Sequence, residues 1–135
     1  MAEASPAARP RPLSPHLQVW RWHVTMAASI LHRATGLALY AGALILAGWA
    51  LALASGAASY DAYMDLLGSL PGRIVLFGVT VSVFFHMANG VRHLFWDAGA
   101  GFEPRTADLT AWIALVFGLV AAGFVWALPF ILGGY

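Results

Sequence analysis

The chain is predicted to be an all-α membrane protein of three transmembrane helices, set in a bundle that other chains complete. Two observations carry that expectation. Apolar residues fill 61% of the 135 positions and charged residues only 10%, a balance that cannot be folded as an ordinary water-soluble domain of this length. The apolar residues also gather into three stretches, approximately 29–54, 73–95 and 109–132, each long enough for a hydrocarbon core that needs about 20 mostly apolar residues. No internal repeat or second domain divides 1–135. Three helices make a thin bundle in which inward polar groups would be poorly enclosed, so a partner subunit is expected.

Taken in order, 1–12 holds three prolines, Arg9, Arg11 and Glu3. It has no apolar core of the signal-peptide kind and is expected to be a disordered tail, leaving the first span uncleaved. Between the first two spans, 56–72 is too polar to cross. Tyr60, Tyr63, Met64 and Leu67 nevertheless recur there at helical spacing, so one or two turns lying at the interface compete evenly with a plain loop. The third span should begin at an N-cap supplied by Thr106 or Asp108. Trp112, Trp126 and Tyr135 suit interfacial aromatic belts and are assigned no chemistry.

Arginine supplies all seven basic residues, for a formal net charge of +1. No basic patch suggests nucleic-acid binding. Arg9, Arg11, Arg21, Arg33, Arg92 and Arg105 flank the start of the first span or the connection between the second and third, and Arg73 alone lies opposite. The positive-inside rule then puts the N-terminus in the cytoplasm and Tyr135 outside. The absence of cysteine excludes disulfides, thiolate metal sites, c-type haem attachment and cysteine-held iron–sulfur clusters from this chain.

The segment His86–Asp97 is the most informative. His86 lies well inside the second span, where an ionisable group is costly and ordinarily faces a partner, a cofactor or water. Gly90 and His93 follow at i+4 and i+7 on the same face. Glycine one turn on leaves room for a flat macrocycle, and Arg92 and His93 lie about 9 to 11 Å nearer the cytoplasm, within reach of haem propionates. Imidazole is a standard axial ligand of haem iron, so the spacing reads as a haem b niche. A plain interhelical hydrogen bond is the competing role for such a histidine. His16, His23, His32 and His93 all fall near the cytoplasmic boundary, so a six-coordinate iron would need its second histidine from elsewhere.

The first span opens Ser29-Ile-Leu-His32-Arg33-Ala-Thr35-Gly36. Ser29 is one turn from both His32 and Arg33, bringing a hydroxyl, an imidazole and a guanidinium together at the bilayer edge. That set suits a quinone carbonyl whose tail stays in lipid. Ser29 as an N-cap and Arg33 as a snorkelling anchor are the competing roles.

On these residues the chain resembles the cytochrome b556 membrane-anchor subunits of succinate dehydrogenase, the succinate:quinone oxidoreductase of respiratory complex II. Arg11-Pro-Leu-Ser-Pro-His16-Leu17, followed by Ser29-x-x-His32-Arg33-x-Thr35-Gly36, is similar to that family's first conserved block. His86-x-x-x-Gly90-Val91-Arg92-His93-Leu94-x-Trp96-Asp97 is similar to its second. The resemblance implies that His86 is the haem b axial ligand, paired with a ligand from a second small anchor subunit, and that His86 is therefore the metal-binding residue for haem iron. Ser29 and Arg33 would be ubiquinone-site residues, with His32, Arg33 and His93 near the haem propionates. Flavin and iron–sulfur clusters would belong to a flavoprotein and an iron–sulfur partner subunit. This chain would be a non-catalytic subunit of the enzyme, helping to pass electrons from succinate to quinone. Asp97 would cap the helix or pair with an arginine, and Trp20, in place of a tyrosine, bears only on a local hydrogen bond. The match begins at Arg11, which points to a bacterial inner membrane, with a mature mitochondrial chain as the alternative. A fumarate reductase anchor and a haem-free structural anchor are the rival functions. A di-haem cytochrome would need more histidines at mid-depth.

Overall fold

The computed structural model of the chain describes residues 21–133. Expectations for the 1–12 tail, for the block from Arg11 to Leu17 including His16, for Trp20 and for Tyr135 lie outside the described residues. Four helices follow one another: α1 (Val24–Ala54), α2 (Ala57–Gly68), α3 (Leu70–Asp97) and α4 (Pro104–Ile131). α1, α3 and α4 are long and apolar enough to cross a membrane. At 1.5 Å per residue they run to about 42–46 Å, beyond a hydrocarbon core of about 30 Å, so their ends project into the interfacial layers.

All three begin earlier than expected; the first turn of α4, Pro-Arg-Thr-Ala-Asp, is polar and is missed when a boundary is drawn by hydropathy alone. α4 starts on Pro104 with Glu103 at the N-cap and no side-chain capping bond. Thr106 and Asp108 are therefore inside the helix, and neither is its cap. Proline suits a first turn because its missing N–H has no helical partner there. α3 also carries a proline in its first turn, Pro71, and Ser69 Oγ accepts from Gly72 N at 3.3 Å.

The 56–72 connection is the 12-residue helix α2, longer than one or two turns. Gly56 turns the chain into it at φ 101°, a left-handed conformation open to glycine. Tyr63 fastens α2 to the bundle: its hydroxyl donates to the Ile45 carbonyl at 2.8 Å. Gly48 makes room, since a Cβ there would lie 2.7 Å from that hydroxyl oxygen.

α3 is the central helix and touches the other three. Its seam with α4 is made of small residues on the α4 side, where Ala111, Ala114, Gly118 and Ala122 are buried against α3 residues Ser82, Phe85, Asn89 and Arg92. Close backbone approach of this kind replaces the hydrophobic drive that lipid cannot provide. Ala28 of α1 joins Phe85, Ala111 and Ala114 in one core. Elsewhere α1 is bare, with Leu37, Tyr40, Leu44, Leu46 and Leu51 widely exposed, as suits a surface facing acyl chains or another helix.

Candidate functional site, an imidazole column between the first and third helices

Antiparallel packing of α1 on α3 brings His32 and His86 together. Their rings stack with centroids 3.9 Å apart and planes 16° from parallel. His32 stacks on its other neighbour, His93, at 5.0 Å, and His93 meets Trp96 edge-on. His32 thus lies level with His86 along the bundle. α1 begins at Val24, two turns before His32. Rings stacked face to face do not aim two nitrogens at a common point, so this arrangement does not make His32 and His86 a ligand pair for one metal ion.

His86 is held from α1. Its Nδ1 lies 3.1 Å from the His32 carbonyl oxygen and 3.2 Å from Thr35 Oγ1. Gly36 lets the ring in, because a Cβ there would be 3.2 Å from His86 Cε1. Nδ1 is occupied, and Nε2 has no hydrogen-bond partner among the described residues. One turn along α3, a Cβ at Gly90 would meet nothing within 4 Å, so the face beside His86 is open. His93 Nδ1 donates to the Asn89 carbonyl at 2.7 Å. His32 Nδ1 is buried with no hydrogen-bond partner among the described residues, a state rarely tolerated unless something else supplies one.

Ser29 is half-buried and Arg33 exposed on the adjoining flank of α1. Ser29 lies well inside α1, which starts at Val24, so it is not the N-cap, and its hydroxyl makes no hydrogen bond among the described residues.

Arg92 departs from expectation. Instead of sharing a rim with His93 it is 5% exposed in the α3–α4 seam. Nε donates to Thr110 Oγ1 at 3.1 Å, one terminal nitrogen to Asn89 Oδ1 at 3.3 Å and the other to the Ala107 carbonyl at 3.0 Å, while the guanidinium lies 4.0 Å above the Trp96 ring. The cause is angular: Arg92 and His93 are adjacent in sequence, and adjacent helical residues point about 100° apart. Asp97 ends α3, exposed, and forms no ion pair among the described residues. Sequence reasoning missed Asn89, fully buried with Nδ2 unpartnered among the described residues; its polarity within an apolar span was the available signal. Trp126 is more than a belt residue, since its Nε1 donates to Thr80 Oγ1 of α3 at 3.1 Å.

Fold and column together define a helical membrane protein whose first and third helices share a stacked imidazole column. Comparison with known proteins makes this specific. Residues 7–125 match the family described as succinate dehydrogenase/fumarate reductase transmembrane subunit, and the chain belongs to that family. It is 36% identical over 117 residues to the succinate dehydrogenase cytochrome b556 subunit of Rickettsia felis, covering 86% of this chain and 90% of the relative. The cytochrome b556 subunit of Paracoccus denitrificans is 38% identical over 110 residues, 82% of this chain and 84% of the relative. The mitochondrial cytochrome b560 subunit of Sus scrofa is 42% identical over 117 residues, 83% and 68% respectively. The chain is thus a membrane component of an oxidoreductase complex.

Proposed function

We propose that this subunit anchors a succinate dehydrogenase, contributes one axial ligand to a haem b and forms part of a ubiquinone-reduction site. The observation that carries the reading is the seat of His86, with Nδ1 bound to α1 and Nε2 unpartnered among the described residues beside the open face at Gly90. Haem b, when bound, supplies one-electron redox chemistry at a single iron. His86 would hold that iron through Nε2. The residues fit the group in two further respects. The buried, unpartnered His32 Nδ1 is a hydrogen-bonding site suited to a carboxylate such as a propionate, and His93 continues the same column. A second ligand would come from a companion anchor subunit, whose helices would also cover the bare surface of α1.

Ser29 and Arg33 act on ubiquinone. The hydroxyl has no competing hydrogen bond among the described residues, and the guanidinium can stabilise negative charge on a reduced quinone oxygen where water is scarce. Flavin and iron–sulfur clusters reside in the flavoprotein and iron–sulfur partners, which bring electrons from succinate. The arginine distribution supports a cytoplasmic N-terminus and an outer C-terminus, in a bacterial inner membrane or its mitochondrial counterpart. The test is a reduced-minus-oxidised absorption spectrum of the purified complex with succinate as donor. A b-type signal is expected, and a complex that turns over ubiquinone without one removes the haem from this account.

A further inference from the structure

The hydroxyl of Thr35 and the bare backbone at Gly36 serve neither as ligand nor as quinone contact, yet both meet His86. Thr35 Oγ1 lies 2.8 Å from the Leu31 carbonyl and 3.0 Å from the His32 carbonyl. With one hydrogen to give, the hydroxyl spends it on those carbonyls and turns a lone pair toward His86 Nδ1 at 3.2 Å. The His32 carbonyl, 3.1 Å from the same nitrogen, can only accept. A lone pair on Nδ1 would face that carbonyl oxygen in repulsion. Nδ1 must therefore carry the hydrogen, and Nε2 the lone pair.

We infer that Thr35 is a positioning residue for His86: with the His32 carbonyl and Gly36 it forms a seat on α1 that fixes the imidazole's tautomer and rotation and raises the basicity of Nε2. The inference rests on the haem reading above and adds the means by which the ligand is set. An acceptor on the far nitrogen of a ligating imidazole pushes electron density toward the metal and holds the ring's orientation. Gly36 sets the rotation from below, since a methyl there would lie 3.2 Å from Cε1 and the ring would have to yield. The His32 ring, stacked at 3.9 Å, limits it from one face. A threonine that merely back-bonds to its own helix is common, and that role alone would give Thr35 no influence on a haem.

The test uses the intact complex carrying Thr35→Val, which keeps the shape and loses the hydroxyl, and Thr35→Ser, which restores the hydroxyl. Retention of the partner subunits confirms assembly in each. With one acceptor gone, Nε2 donates less to the iron, so in Thr35→Val the haem midpoint potential should rise and its low-spin electron paramagnetic resonance signal should move. Thr35→Ser should return both to wild-type values. Loss of haem from Thr35→Val with recovery in Thr35→Ser would support the seat equally, since such outer partners are typically worth about 10- to 100-fold in affinity. Gly36→Ala should move the resonance signal by turning the ring. Wild-type potential and resonance in Thr35→Val, or equal shifts in the valine and serine variants, would overturn the seat. If wild-type complex carries no haem, or keeps its ligation in His86→Ala, the haem reading itself fails, and the two failures are thereby told apart.

Discussion

Gly118→Ala tests whether the α3–α4 seam holds the site in place. The added Cβ would lie 2.8 Å from Phe85 Cβ, 3.1 Å from its Cα and 3.2 Å from its backbone nitrogen. Carbon atoms rest about 3.5–4.0 Å apart, so the helices must separate locally by about 1 Å, and pairs along the seam lose a quarter to a half of their dispersion energy. No side-chain rotation relieves the clash, because two of the three neighbours are backbone atoms. Overpacking of this sort costs about 1–3 kcal/mol. The helix-propensity gain of alanine offsets little of it, since helices persist in lipid when they come apart. At about 1.4 kcal/mol per factor of ten, the folded population relative to the dissociated one should fall on the order of 10-fold. Gly123→Ala on the same helix is the control, as a Cβ there meets nothing within 4 Å. Denaturing-detergent titration of the purified complex, followed by haem absorbance, measures both. Equal midpoints for the two variants would refute the seam argument.

Other outcomes follow from the same geometry. Ser29→Ala and Arg33→Leu should lower ubiquinone reduction or raise its apparent KM, with Arg33 showing the larger loss, while succinate oxidation by an artificial acceptor at the soluble subunits persists. Normal ubiquinone kinetics in both would return them to ordinary surface roles. Arg92→Leu should destabilise the complex by about 1–3 kcal/mol, because the fully buried Asn89 loses the donor to its Oδ1; Arg92→Lys should recover only part of that, lacking the guanidinium fork. Thermal stability of the assembled complex checks this. Cysteines at Ala58 and Ala100, in the two exposed connections, should label from opposite faces of sealed vesicles, and labelling from one face would break the three-span topology.

The three spans were legible because lipid demands long apolar runs, and His86 stood out because an imidazole is expensive there. Helix starts were not, since they are set by single residues such as Ser69 at the cap of α3 or Pro104 at the start of α4, which hydropathy does not register. Spacing placed His86, Gly90 and His93 on one face, which the fold bears out. It could not say that His32 would stack on His86, because that depends on the depth at which α1 crosses α3. Nor could it separate Arg92 from His93: with neighbours pointing about 100° apart, only the position of α4 decides which of them is buried. Thr35 and Gly36 were visible as part of a motif, but their contact with His86 spans 51 residues from Thr35 and needs the tertiary packing.

The central claim is that this chain supplies an axial ligand through His86. Low-temperature electron paramagnetic resonance of the oxidised complex, wild type against His86→Ala with partner subunits retained in both, tests it most directly. The account predicts a low-spin, six-coordinate haem signal in the wild type that is lost or replaced by a high-spin one in the variant. An unchanged low-spin signal in His86→Ala would contradict it.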